Sequence, residues 1–222
     1  MRTYGHTHAG GVPVELDSLQ SMYVDQLKDL YSAENQILKA LPRMIKAASH
    51  KELKKAFTTH ERQTRGHVAR LDRVFKELGA TPRGKKCEGI EGIIREGAEL
   101  IREKPEPDVL DAGLLSAAQH VEHYEMAGYG TVRTWAQKMG FDRQAELLQQ
   151  TLDEEKQTDQ LLTQIAEQSI NIDAMSGDQE MASPADRARP VRVHREPSGR
   201  RPAGRSEMGM ESRSEGSAGT GS

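Results

Sequence analysis

A chain of 222 residues, 29% charged and 4% aromatic with a formal charge of −3, has room for one good-sized domain plus tails. So even a charge balance supplies no strong field to recruit nucleic acid or an anionic membrane. A single cysteine, Cys87, excludes an intramolecular disulfide.

The opening MRTYGHTHAGG has no apolar stretch of the signal-peptide kind. No run reaches the ~20 apolar residues of a membrane helix. The expectation is a soluble cytoplasmic protein. Leu, Ala, Gln, Glu and Lys abound, which favours helices over strands. Residues 1–14 are rich in Gly and His without periodicity and read as a flexible arm; His6 and His8 read as solvated.

The first long helix is expected from Leu16 to Ala48, capped by Asp17 or Ser18. Val24, Leu27, Tyr31, Leu38, Leu41 and Ile45 form its apolar stripe, widened by Tyr23, Leu30 and Ile37. Glu34 falls on that stripe. Pro42 is expected to kink or end the helix. The second helix runs from Glu52 to Leu78 and stops at Gly79. Its stripe is Leu53, Phe57, Val68, Leu71, Phe75 and Leu78, with Glu61 and Thr64 in between. His60, His67 and Val74 then lie on the flank.

A loop by composition leads to a short amphipathic helix, Gly89 to Glu103, read as a crossover between helices two and three. The third long helix spans about Asp108 to Met139. Its stripe of Leu110, Leu114, Ala117, Val121, Gly128, Val132 and Trp135 takes in Glu125, with Glu122 one turn earlier. The fourth, capped by Asp142, continues to about Gln168 through Leu148, Thr151, Glu155, Thr158, Leu162 and Ile165. The fold class is therefore all-α, an antiparallel four-helix bundle over 15–170. From 171 onward the chain turns to Ser, Gly, Pro, Arg and Glu. Such a segment cannot bury enough apolar area to offset its ordering entropy and reads as a disordered tail. Its arginines are balanced by acids, and without aromatics to stack on bases it gives little reason to expect a nucleic-acid partner.

Each long helix thus carries a glutamate on its inward stripe: Glu34, Glu61, Glu125 and Glu155, with Glu122 as a fifth carboxylate. Glu61-Arg-Gln-Thr64 and Glu155-Lys-Gln-Thr158 look like an internal duplication. Packed antiparallel, the two hairpins would bring these carboxylates to one level. An unpaired buried charge is not tolerated; it neutralises, pairs or binds a metal. Paired singly, each could be met by Arg65 or Lys156. Together, they point to two bridged cations, iron or manganese, as oxygen-rich sites prefer. Di-iron carboxylate bundles add Glu-x-x-His from two helices, whereas here Thr64 and Thr158 stand where histidine is required. Nitrogen ligation is then missing or comes from His60 or His67, although His67, six residues after Glu61, is rotated by roughly 120° from it. Asp159 could add an oxygen.

Four motifs in order, Tyr31-Ser-Ala-Glu-Asn-Gln36, His60-Glu-Arg-Gln-Thr64 with His67, Glu122-His-Tyr-Glu-Met-Ala-Gly-Tyr129 and Asp153-Glu-Glu-Lys-Gln-Thr158, resemble the YciF-like stress proteins, bacterial ferritin-like proteins related to rubrerythrin. The resemblance spans about 15–170. It implies a ferritin-like bundle with a dinuclear metal centre, often a homodimer, associated with stress responses. It carries the metal role to Glu34, Glu61, Glu122, Glu125 and Glu155 and settles no reaction. The function expected is a dinuclear iron or manganese protein acting on peroxide or dioxygen. The competing expectation is a non-enzymatic structural or interaction bundle with an arginine-rich tail.

Overall fold

The computed structural model describes residues 16–181, and every regular element among them is helical. The helices are α1 (Leu19–Ala47), α2 (Lys51–Leu78), α3 (Glu88–Glu103), α4 (Pro107–Lys138), α5 (Asp142–Ile165) and α6 (Asn171–Met181), with one π-helical turn, Ala166–Ile170, between the last two. The arm at 1–14 and the arginine-rich stretch lie outside the described residues.

Helix ends follow local chemistry. Ser18 accepts from the Ser21 amide in a capping box at the start of α1. Gly79 ends α2 in the left-handed conformation, φ 61°, which glycine adopts without a Cβ penalty. Of the two outcomes expected at Pro42, the helix does not end there and runs on to Ala47. Two expectations are corrected. Phe141, not Asp142, is the residue preceding α5, and Asp142 sits inside the first turn, where a carboxylate favours the positive helix end. The helical chain also continues beyond residue 170, through the π turn, to Met181.

The α1–α2 and α4–α5 connections are short, so each pair is antiparallel. Helix α1 packs on α2 and α4, and α5 completes the ring against α2 and α4. Tyr23, near the start of α1, donates to Gln144 at the start of α5. Those two diagonal helices therefore run parallel and all ring neighbours antiparallel. The chain reaches α4 through α3, which lies along α1 and α4 as the crossover. At the far end, Asp111 of α4 accepts from the backbone amides of Ser49 and His50, both at 2.8 Å. It supplies the start of α2 with the acceptor that His50 does not provide.

The bundle has two apolar cores rather than one. The first holds Tyr23, Leu27, Leu30, Leu71, Phe75, Val132 and Leu148. The second holds Ile37, Leu41, Leu53, Phe57, Leu114, Leu162 and Ile165. Along each long helix the residues that separate them are polar and buried: Glu34 on α1, His60, Thr64 and His67 on α2, Glu122 and Glu125 on α4, Glu155 and Thr158 on α5.

Candidate metal centre

Heptad spacing delivers these side chains to one level. On α1 the buried series is Tyr23, Leu27, Leu30, Glu34, Ile37, Leu41; on α2 it is Leu53, Phe57, His60, Thr64, His67, Leu71, Val74. Both step by four and three, the repeat of a bundle seam. Glu122 and Glu125 are one turn apart on α4, and Glu155 follows Leu152 on α5. Glu34, His67, Glu125 and Glu155 have no exposed surface, and Glu122 and His60 almost none.

Two groups of donors result. His60, Glu122, Glu125 and Glu155 each place one donor atom within 4.8 Å of the others, as do Glu34, His67 and Glu155. Glu155 belongs to both. His67 Nδ1 lies 2.9 Å from Glu155 and 3.4 Å from Glu34. His60 lies 3.4 Å from Glu122 and 3.9 Å from Glu155. None of these contacts has hydrogen-bond alignment. Among the described residues, nine of the eleven buried side-chain nitrogen and oxygen atoms without a hydrogen-bond partner belong to Glu34, His60, His67, Glu122, Glu125 and Glu155. Buried polar atoms are ordinarily satisfied, so such a concentration of unpartnered donors is unusual, and these are the groups that could hold a metal ion.

A surrounding layer fixes the donors. Tyr129 donates its hydroxyl to Glu34 Oε1. On the outer side of His67, Nε2 donates to Glu154 at 2.8 Å. Arg70 grips the same carboxylate with two bonds, 2.9 and 2.6 Å. With Nε2 carrying the proton, Nδ1 is the nitrogen left facing Glu34 and Glu155. A carboxylate behind the imidazole is the usual way of orienting a metal-ligating histidine.

The charge state without a cation shows how unbalanced the layer is. Burial pushes the carboxyls of Glu122 and Glu125 well above the ordinary range, and their acidic neighbours push the same way. Burial raises Glu34 too, against the pull of His67. Burial alone would lower His67, but Glu34 and Glu155 outweigh it and hold its proton up to about 11. Glu155, although buried, stays below the ordinary range because His67 and His60 face it. Burial lowers His60. The protein alone neutralises this layer by keeping protons on carboxylates and on His67, which is where a cation would substitute for them.

Of the five carboxylates singled out in the sequence, four converge: Glu34, Glu122, Glu125 and Glu155. Glu61 does not. Its side chain is 22% exposed and paired with Arg65 along the outside of α2. The reason is one step of register. After Phe57 the seam advances three residues to His60, not four to Glu61, then runs through Thr64 and His67 to Leu71. Both steps are helical, and only the packing of α2 chooses between them. The histidines placed on the flank are therefore the ones that face the centre. The duplication pairs Glu61 with Glu155 in sequence but not in space. Thr64 and Thr158 donate to the carbonyls of His60 and Glu154. Asp159 pairs with His123 at 3.2 Å on the flank of the bundle. Glu154 and Arg70 carry no role that the sequence reveals; the only signals are a carboxylate next to Glu155 and an arginine one turn past His67.

A family described only as a domain of unknown function, DUF892, matches residues 18–175. The chain belongs to the DUF892 family. Another protein similar to it is YciF of Escherichia coli K12, 39% identical over 159 residues, which cover 71% of this chain and 96% of YciF. The YciF-like resemblance carried by the four motifs therefore holds. The crystal structure of the E. coli stress protein YciF superposes with a TM-score of 0.68, covering 70% of this chain and 99% of that one. YcfI of Rhodopseudomonas palustris, suggested to be a structural protein, is 40% identical with a TM-score of 0.65 over 67% of this chain and 95% of its own. A Xanthomonas campestris protein at 18% identity and a TM-score of 0.59 shares the fold. In this DUF892 chain, no helix among the described residues is long and apolar enough to cross a membrane.

Proposed function

We propose that this YciF-like protein holds two iron or manganese ions, one among Glu34, His67 and Glu155, the other among His60, Glu122, Glu125 and Glu155, with Glu155 shared. The observation that carries this reading is the cluster of nine unpartnered buried donor atoms between two apolar cores. Carboxylate oxygens and imidazole nitrogens suit these metals better than thiolate-seeking ones. Glu61, part of the set implied by resemblance, is left out, and His60 and His67 enter.

When bound, such a pair supplies one-electron redox chemistry toward peroxide or dioxygen, with Fe(II) or a small reductant as electron source. The chain's own residues do the rest. Tyr129, its hydroxyl kept protonated by burial and by Glu34, steadies Glu34. Glu154 and Arg70 keep the His67 proton on Nε2. The apolar layers exclude bulk water from the donors. A cytoplasmic homodimer taking part in the stress response completes the proposal.

The test is elemental analysis of protein purified without chelator. Two equivalents of iron or manganese are expected, lost together in Glu34→Ala/Glu125→Ala. A ligand that binds only the native state stabilises it, so metal addition is expected to raise the melting temperature. The competing reading, a non-enzymatic structural bundle, draws on the role suggested for the R. palustris relative. It requires metal-free protein whose melting temperature is indifferent to both metals.

A further inference from the structure

Beside the centre lies a cavity of about 30 Å³. Leu41, Phe57, Ala118 and Leu162 are among its walls, and His60 and Glu122 form its inner edge. Thr158 also touches it, but its hydroxyl is engaged with the Glu154 carbonyl. The polar atoms left unpartnered at this cavity are therefore those of His60 and Glu122, the donors of the second metal position. Once those face a cation, the cavity offers no partner for a guest that must hydrogen-bond. A buried water needs about two to four polar partners and roughly 10–15 Å³ of such space. The volume is about that of two water molecules, and the chemistry of the wall rejects water and hydrogen peroxide alike. An uncharged apolar diatomic fits both constraints.

A second, wider cavity of about 280 Å³ opens between α1, α3 and α4. Ala40, Met44, Ile94 and Val121 line both. These four side chains form the partition between the open groove and the chamber beside His60 and Glu122. Met44 is unbranched and flexible, suited to a wall that must yield. Ile94 comes from the crossover helix, which gives α3 a part in access as well as connection.

We propose that dioxygen is the oxidant this protein admits, entering the groove between α1, α3 and α4, passing the Ala40–Met44–Ile94–Val121 partition and docking in the apolar chamber against His60 and Glu122. This rests on the dinuclear reading above. The net reaction to be followed takes one electron from each of two Fe(II) ions and two protons from solvent, and converts one dioxygen into one hydrogen peroxide.

Xenon, an apolar probe that takes no part in redox chemistry, tests the chamber in the metal-loaded full chain. A crystal of the protein under xenon pressure is expected to show the gas between Phe57, Leu162, His60 and Glu122. Ala40→Phe fills the partition from a partly exposed position. It is expected to remove xenon and slow Fe(II) oxidation by dioxygen at least tenfold, with two iron equivalents retained and anaerobic oxidation by hydrogen peroxide unchanged. Ile94→Ala, which opens the same wall without adding bulk, is expected to speed the dioxygen reaction and serves if Ala40→Phe does not fold. Xenon bound elsewhere, or variants that leave the dioxygen rate unchanged or slow both oxidants equally, overturns the inference while two bound metals leave the proposed function standing. A protein that takes up no metal overturns both.

Discussion

His67 Nε2 donates to Glu154 across 2.8 Å, while its other nitrogen faces Glu155 at 2.9 Å on the inside of the bundle. Two consecutive glutamates of α5 thus hold one imidazole from opposite sides. The outer one sets which nitrogen keeps the proton, and the inner one is a donor beside the nitrogen set free. Loss of Glu154 is expected to weaken metal binding by about 10–100-fold while the two-metal stoichiometry survives at saturating metal. Titration of Glu154→Ala followed by elemental analysis checks both halves. An affinity equal to that of the unaltered protein would show that the contact orients nothing.

Glu125 has no hydrogen-bond partner on either oxygen and no exposed surface. Replacing a buried ion pair or triad with apolar residues of similar volume is often neutral or stabilising by about 1–4 kcal/mol, and Glu125, with neither oxygen partnered, has no hydrogen bond to lose. Glu125→Leu is therefore expected to raise the melting temperature of the metal-free protein by several degrees, at about 2–4 °C per kcal/mol for a chain of this size. The same change is expected to abolish the stabilisation gained on metal addition. Calorimetry of both forms reads the two effects with opposite sign.

The titrating groups make pH act oppositely on the metal-free and metal-loaded forms. Glu34, Glu122 and Glu125 have folded-state pKa values raised above those of the unfolded chain. Each contributes stability that is full at low pH and lost as pH rises through the folded value. His67, raised from 6.5 to about 11, behaves likewise, its contribution falling away above its unfolded value. Glu154 and Glu155, held below 4.5, oppose this only as pH falls through their own low range; His60, lowered from 6.5 by burial, opposes it as pH falls below 6.5, one group against Glu34, Glu122, Glu125 and His67. The metal-free protein is expected to gain stability between about pH 8 and about pH 5, whereas metal affinity falls over the same interval because protons compete for the donors. Melting curves with and without metal at several pH values should converge toward the acidic end.

Glu61 and Asp111 separate the centre from the scaffold. Glu61→Gln breaks a surface pair with Arg65, worth about 0–1 kcal/mol, and is expected to leave metal content intact. Asp111→Ala strands the backbone amides of Ser49 and His50, expected to destabilise by about 1–3 kcal/mol with metal stoichiometry again unchanged. Denaturant titration and elemental analysis of the pair distinguish them. Metal lost from Glu61→Gln would contradict the register of α2.

Much of this protein is written locally. The 3.6-residue period, Gly79, the Lys104–Pro107 break and Gly140 mark the long helices to within a few residues, because these signals act through the backbone of their own segment. A glutamate amid apolar neighbours is equally visible, so Glu34, Glu122, Glu125 and Glu155 could be singled out unaided. What the chain does not reveal is the rotation of each helix about its axis. On α2 the ladders through Glu61 and through His60 are both helical, and about 100° of rotation separates adjacent positions. Contact with α1, α4 and α5 decides that His60 and His67 turn inward and Glu61 outward, since exposing one side of α2 buries the other. Partners such as Glu154 for His67, Asp111 for the start of α2 and the partition through Ile94 join residues distant in sequence, so packing alone brings them together.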